Sequence, residues 1–209
     1  NTLPSNAVIF NTIVTSDLGE KVAKRYGVEV EKTLTGFKFI GEKIAKYEVT
    51  HEKSFVLGYE ESYGYLVEPF VRDKDAIQAC LILAECISFY KHEGKTLVDV
   101  LNELYSTYGY HHEDQVSITL KGSEGSQKIK AILDHFRTQT ISSFAGLKVV
   151  VKEDYLLKQR TVASVVSPLN FPPSDVIKYI LEDGSWLAIR PSGTEPKCTF
   201  YFCVLGSDE

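Results

Sequence analysis

Two hydrophobic periods alternate along this chain, and the switches between them lay out its elements. Ala7 to Val14 reads Ala-Val-Ile-Phe-Asn-Thr-Ile-Val, a short β-branched run of the kind buried in a parallel sheet. Ser16 or Asp17 can cap a helix after it, with Glu20 three residues beyond Asp17 as in a capping box. Val22, Ala23 and Tyr26 share one face of that helix, and Gly27 suits the position just past its end. Val28 to Lys32 is a second strand. Strand, helix, strand is a βαβ unit and predicts a parallel sheet. A helix over 37–47 follows, with Ile40, Ile44 and Tyr47 as one apolar stripe, and Ser54 to Leu57 is a third strand. Val71 to Asp75 opens a long helix to His92. Its Ile77, Leu81, Ala84 and Ile87 recur at helical spacing, with Cys80 adjoining, and predict a core-facing stripe that Gly94 ends. A helix over 96–108 turns Leu97, Leu101, Leu104 and Tyr108 inward.

The polar stretch Gly109-Tyr110-His111-His112-Glu113-Asp114 reads as a boundary between two domains, 1–112 and 113–209. Its neighbouring histidines lack metal-ligand spacing and read as linker. Gln115 to Leu120 alternates like a half-buried strand. A helix over 124–138 puts Ile129, Ile132, Leu133 and Phe136 on one face, and Leu147 to Lys152 is a strand. Residues 156–175, with three prolines, read as an irregular excursion. Val176 to Leu181, the Asp183-Gly184 turn and Trp186 to Ile189 form a hairpin, and Thr199 to Leu205 is the last strand. The expected fold class is α/β plus α+β. The first domain is a mixed, mainly parallel sheet with helices packed on it; the second is a small antiparallel-sheet α+β domain.

Composition narrows the function. With 209 residues, 44% hydrophobic and 24% charged, the chain is globular, and its net charge of 23 − 28 = −5 argues against a nucleic-acid or other polyanion binder. A single phosphate needs only a local positive site. Cys80, Cys86, Cys198 and Cys203 form no CxxC pair and read as reduced, packed thiols. No signal peptide and no bilayer-length apolar run is present, so a cytoplasmic protein without membrane partners is expected. The sequence holds no methionine, and it is expected to begin inside a larger protein or after processing.

Four stretches carry chemistry. Arg190-Pro191-Ser192-Gly193-Thr194-Glu195-Pro196-Lys197 lies between two apolar runs, as a loop between strands would. Its prolines stiffen it, Gly193 lets the backbone approach a ligand, Ser192 and Thr194 offer hydroxyls, and Arg190 and Lys197 offer cations. Together these suit a phosphate. A surface turn is the alternative, and Glu195 opposes an anion unless its carboxylate points away. Thr35-Gly36 sits where a parallel strand hands over to a helix, the edge at which such sheets bind ligands, though a helix cap is the simpler reading. In Gly58-Tyr59-Glu60-Glu61-Ser62-Tyr63-Gly64 two carboxylates and a hydroxyl between glycines suit sugar hydroxyls, with a solvated acidic turn as the alternative. Glu60 and Glu61 point to opposite faces as neighbours on a strand and make a poor glycosidase pair. Lys74 is placed in the first turn of its helix, where the dipole disfavours a cation and an anionic partner would offset that.

Taken in order, Thr35-Gly36, Gly58 to Gly64, Arg72 to Asp75 and Arg190 to Lys197 resemble the α-D-phosphohexomutases, the phosphoglucomutase and phosphomannomutase superfamily. With the element order, the likeness to that family's third and fourth domains covers nearly the whole chain. It implies that Glu60 and Ser62 bind sugar hydroxyls, that Thr35 and Gly36 read the sugar ring, and that Lys74 approaches the substrate. Arg190, Ser192, Gly193, Thr194 and Lys197 would hold the phosphate that is not reacting, and Glu61 would serve the loop or solvent. The implied reaction is an intramolecular phosphoryl transfer between hexose 1-phosphate and hexose 6-phosphate. It runs through a phosphoserine and a bisphosphate, assisted by Mg²⁺, with glucose 1,6-bisphosphate as activator and intermediate. The family's Ser-His and Asp-x-Asp-x-Asp motifs do not occur in this sequence. The nucleophile and metal ligands are therefore expected on the preceding domains 1 and 2, and the chain alone is expected to bind without turning over. The family's final helix is expected beyond Glu209. The Glu60-Glu61-Ser62 form leans towards glucose. A free-standing, non-catalytic sugar-phosphate-binding module is the alternative.

Overall fold

The computed structural model describes residues 3–193 and 195–206. The chain divides into two compact units, Asn1–Gly109 and Tyr110–Glu209.

In the first unit the β-branched run becomes β1 (Ala7–Thr12), parallel to both β2 (Glu29–Thr33) and β3 (Ser54–Tyr59). The two-residue β4 (Tyr65–Leu66) returns antiparallel to β3, giving the order β2-β1-β3-β4. Helix α1 (Leu18–Arg25) joins β1 to β2, and α2 (Phe37–Thr50) joins β2 to β3. Alternation along β1 divides the core between the sheet's two faces. Val8 and Phe10 pack with Phe37, Ile40, Ile44 and Tyr47 of α2, while Ala7 and Ile9 pack with Ala23 and Val28. On β2, Glu31 accepts from Lys43 Nζ at 2.8 Å and the Tyr47 hydroxyl at 2.6 Å, and pairs with Lys53 at 3.0 Å. Burial pushes this carboxyl up, but the three donors outweigh burial and hold it at about 2.

Three expectations for this unit are corrected. The capping box of α1 does not form: Asp17 makes no side-chain capping bond, and it joins Glu20 in pairing with Lys32, Asp17 at 3.1 Å. A lysine largely withdrawn from water competes successfully for both carboxylates. The second correction is α3 (Ala76–His92), none of whose residues is buried. Ile77 is 83% and Leu81 62% exposed, and Cys80, Ala84 and Ile87 are exposed as well. Ile82, Leu83 and Phe89 make the helix apolar all round, so one stripe could not single out a buried side. The elements it meets, β4 and α4 (Leu97–Tyr108), are too small to cover it. In α4, Leu97, Leu104 and Tyr108 are half-buried and Leu101 exposed. Third, Lys74 precedes the first turn of α3. Asp75 is the N-cap, accepting from the amides of Ile77 and Gln78, and Lys74 pairs with Asp73 at 3.0 Å.

The second unit is one antiparallel sheet. Its strands are β5 (Tyr110–Thr119), β6 (Ser143–Phe144), β7 (Leu147–Asp154), β8 (Gln159–Val162), β9 (Val165–Pro168), β10 (Ile177–Leu181), β11 (Trp186–Pro191) and β12 (Lys197–Gly206). They run in the order β5-β12-β11-β10-β7-β8-β9, with β6 against β7. Helix α5 (Gly122–Thr138) lays Ile129 and Leu133 on Ile177, Tyr179, Leu187, Ile189 and Cys198, with Phe136 beside them. Its last turn is tied down by Arg137, which donates to Asp154 at 2.9 Å and to Asp175 at 2.6 Å.

Two expectations fall here. The polar stretch expected to join two domains at 112/113 is part of β5, and the seam lies at Gly109/Tyr110. This strand pairs with β12 along its full length, from Tyr110↔Gly206 to Thr119↔Lys197. As an edge strand it tolerates charges, which also discourage pairing with another chain. The excursion over 156–175 contains the β8–β9 hairpin. Its turn is Ala163-Ser164, at φ of 46° and 70°.

Candidate functional site

In the first unit the candidate groups lie at the carboxyl edge of the parallel strands, where β1, β2 and β3 all end. After Tyr59 the chain turns in five residues and returns as β4, with Tyr59 opposite Tyr65 and the Glu60 amide bonded to the Gly64 carbonyl at 3.0 Å. The turn brings Glu60, Ser62 and Lys74 together. Ser62 Oγ donates to Glu60 Oε1 at 3.0 Å. A Cβ on Gly64 would stand 2.8 Å from Glu60 Oε1 and 2.9 Å from Lys74 Cδ, so this glycine lets the lysine stem pass beside the carboxylate. Glu60 is 7% exposed. Burial pushes its carboxyl above the usual range, and the Ser62 bond and the Lys74 charge do not fully offset it. A largely buried carboxylate with one hydroxyl donor and a cation beside it can accept from two vicinal hydroxyls.

Thr35 and Gly36 stand at the same carboxyl edge, past the end of β2. Gly36 is the N-cap of α2 at φ 118°, a conformation open to glycine and strained for other residues. Thr35 does not cap the helix through its side chain: its Oγ1 is buried and has no hydrogen-bond partner. A buried hydroxyl without a partner costs about 1–3 kcal/mol and calls for a ligand or water to complete it.

Glu61 faces away from Glu60. Its Oε2 accepts from Thr12 Oγ1 at 2.7 Å and Thr15 Oγ1 at 3.1 Å. Asn11, Thr12, Thr15 and Tyr59 were not singled out from the sequence, and their side chains form the bed of this loop. Their partners lie 46–49 residues away, so spacing gives no hint of them.

In the second unit the loop expected to bind phosphate joins β11 to β12. Backbone bonds shape it: Ser192 N to Lys197 O and Lys197 N to Glu195 O, both 2.7 Å, and Leu120 N to Pro196 O at 2.9 Å. The Glu195 amide also donates to Ser192 Oγ at 3.2 Å. Arg190, half-buried on β11, reaches only the Tyr201 hydroxyl, at 3.5 Å, and forms no ion pair among the described residues. Lys197 Nζ pairs loosely with Glu195 at 3.4 Å, so the acidic residue engages the second cation. That pair is largely exposed and weak, and an anion could replace it. The space beside Gly193 is open, leaving its backbone accessible. Thr194 lies outside the described residues.

No three or more His, Cys, Asp or Glu side chains among the described residues are arranged to hold a metal ion. Cys198 and Cys203 are buried, Cys86 is half-buried and Cys80 is exposed. No helix of the described residues is long and apolar enough to cross a membrane.

Comparison with known proteins agrees with this architecture. The model described as phosphoglucomutase/phosphomannomutase, alpha/beta/alpha domain III matches residues 1–108, and that of the family's C-terminal domain matches residues 126–204. The chain belongs to the phosphoglucomutase/phosphomannomutase family. It is 39% identical over 204 residues to the phosphoglucomutase of Staphylococcus haemolyticus (strain JCSC1435), a match covering 97% of this chain and 37% of that protein. To the phosphoglucomutase of Staphylococcus aureus (strain MSSA476) it is 41% identical over 196 residues, covering 93% and 35%. The chain therefore spans little more than a third of the relatives it matches. Its fold is that of the open form of pp63/parafusin from Paramecium, with a TM-score of 0.63 at 22% identity over 96% of this chain and 34% of that one.

Proposed function

We propose that the chain supplies the sugar-reading and phosphate-anchoring parts of a phosphohexomutase that interconverts hexose 1-phosphate and hexose 6-phosphate. The observation that carries this reading is Glu60, a buried carboxylate pushed above its usual range and flanked by Ser62 and Lys74. Vicinal sugar hydroxyls would supply the donors it lacks, with Thr35 Oγ1 and the backbone at Gly36 completing the sugar contacts. Because a carboxylate accepts from either of two adjacent hydroxyls, it tolerates a bisphosphate that turns over between two phosphoryl transfers. In the other unit Arg190 would grip the phosphate that is not reacting. Ser192, Thr194, the open backbone at Gly193 and Lys197 would assist, the lysine released from Glu195. Amides and hydroxyls give such a loop contacts that are positioned but indifferent to the sugar.

The phosphoserine and the Mg²⁺ ligands belong, in this reading, to domains 1 and 2 of a larger cytoplasmic protein, with glucose 1,6-bisphosphate as intermediate. The exposed apolar surface of α3 supports a larger protein, because contiguous patches of that kind mark interaction surfaces. The chain alone would then bind glucose phosphate and not isomerise it. Titration calorimetry of the 209-residue chain with glucose 6-phosphate tests the reading. Arg190→Ala should weaken binding by about 1.5–3 kcal/mol, roughly 10- to 150-fold, and Arg190→Lys should restore part of it. Equal affinity in Arg190→Ala would remove the phosphate anchor, and interconversion of glucose 1-phosphate and glucose 6-phosphate by the pure chain would overturn the division of labour.

A further inference from the structure

We propose that Glu61 is a positioning residue, a latch that fastens the sugar-reading loop to the end of β1 and so fixes where Glu60 points. The proposal rests on the sugar-binding reading of that loop. It starts from two hydroxyls with no freedom. Thr12 is fully buried and Thr15 nearly so. Thr12 Oγ1 accepts from the Val14 amide at 3.2 Å, and Thr15 Oγ1 accepts from the Thr12 amide at 3.3 Å. Each oxygen thus has a lone pair held by the backbone of the turn that leaves β1, and its single proton is left to donate. Both hydroxyls lie within bonding distance of one atom, Glu61 Oε2, at 2.7 and 3.1 Å, and 2.9 Å from each other, so the three oxygens form one hydrogen-bonded cluster in which the carboxylate oxygen is the member that can only accept. The turn after β1 is therefore a preformed receptor for one acceptor.

The loop needs such an anchor. It is five residues long, Tyr63 sits in the left-handed region at φ 64°, and the loop is closed by the Glu60–Gly64 backbone bond. Tyr59 supplies a second tether. Its hydroxyl accepts from Asn11 Nδ2 at 3.2 Å and lies over Gly19, where any Cβ would overlap it. With Tyr59 and Glu61 both bound to the β1–α1 segment, Glu60 between them is directed the other way, towards Ser62 and Lys74. A slip of one residue would exchange the two carboxylates. The latch needs an acceptor and not a charge, since an amide oxygen with two lone pairs can take both hydroxyl protons.

The test is hydrogen exchange of the full 209-residue chain, free and with glucose 6-phosphate, together with titration calorimetry. Glu61→Ala and Thr12→Val should speed exchange at residues 59–64 by about tenfold in the free chain while α2 keeps its protection, and should raise the Kd for glucose 6-phosphate by about three- to tenfold. Glu61→Gln and Thr12→Ser should retain most of both. Unchanged loop exchange in Glu61→Ala overturns the latch, as does a Glu61→Gln chain that behaves like Glu61→Ala. If the parent chain does not bind glucose 6-phosphate, the sugar-binding reading fails, and the exchange of the free chain still decides the latch by those two results.

Discussion

Two glutamates of the first unit, on opposite sides of a functional divide, are treated in opposite ways by the fold. Glu31, on β2, is met by Lys43, Tyr47 and Lys53 and driven down to about 2. Glu60, in the loop after β3, is more deeply buried yet receives only Ser62, with Lys74 nearby, and is driven up. The second unit repeats the contrast in arginines: Arg137 is clamped by Asp154 and Asp175, while Arg190 has one long contact to a hydroxyl. Where a charge serves the fold, the protein completes it. The two charges proposed to serve a ligand are positioned and left with few partners.

The contrast can be broken by experiment, most sharply at Arg137. Arg137→Ala would leave Asp154 buried without its cation and should lower unfolding free energy by about 3 kcal/mol, with little change in glucose 6-phosphate affinity. Urea denaturation and calorimetry of the same variant check both halves. Next is Glu31→Gln, which should cost about 1–2 kcal/mol at neutral pH. Because the folded carboxyl sits at about 2 against an ordinary 4.5, this contribution is complete above 4.5 and lost as pH falls towards 2. The parent's acid stability curve should be steeper than the variant's in that window. Smallest in stability, and opposite in sign, is Glu60→Gln. A folded carboxyl above 4.5 holds its proton more tightly than the unfolded one, so ionised Glu60 destabilises the fold as pH rises past 4.5. The variant should melt slightly higher than the parent at neutral pH while losing sugar-phosphate affinity. A lower melting temperature would place Glu60 among the structural charges.

The sequence made the βαβ start, the α2 stripe and the Asp183-Gly184 hairpin legible, because each has a period or a turn residue that only one structure uses. It misled where the pattern is shared. An all-round apolar helix looks the same whether its stripe is buried or, like that of α3, exposed. An edge strand rich in His, Glu and Asp, like the start of β5, looks like a linker until its partner β12 is known. At the candidate site, Glu60, Ser62 and Lys74 were legible as chemistry, and the structure brings them together. The receptor at Thr12 and Thr15 was not, since it exists only once β1 and β3 lie side by side. Glu195 illustrates the limit: the sequence raised it as an objection to an anion site, and the fold turns it aside onto Lys197.

The β8–β9 turn has a consequence for engineering. Val162 pairs with Val165, so the loop holds two residues, and both take the positive φ of a type I′ turn without the Asn-Gly that such turns favour. Ala163 and Ser164 therefore keep a conformation that costs about 1 kcal/mol each. Natural selection has left a reserve of stability there, in a place remote in sequence from both loops proposed to bind ligand. Ala163→Asn with Ser164→Gly would draw on that reserve, and a chain so strengthened could carry more destabilising changes at Glu60 or Arg190 before it ceased to fold.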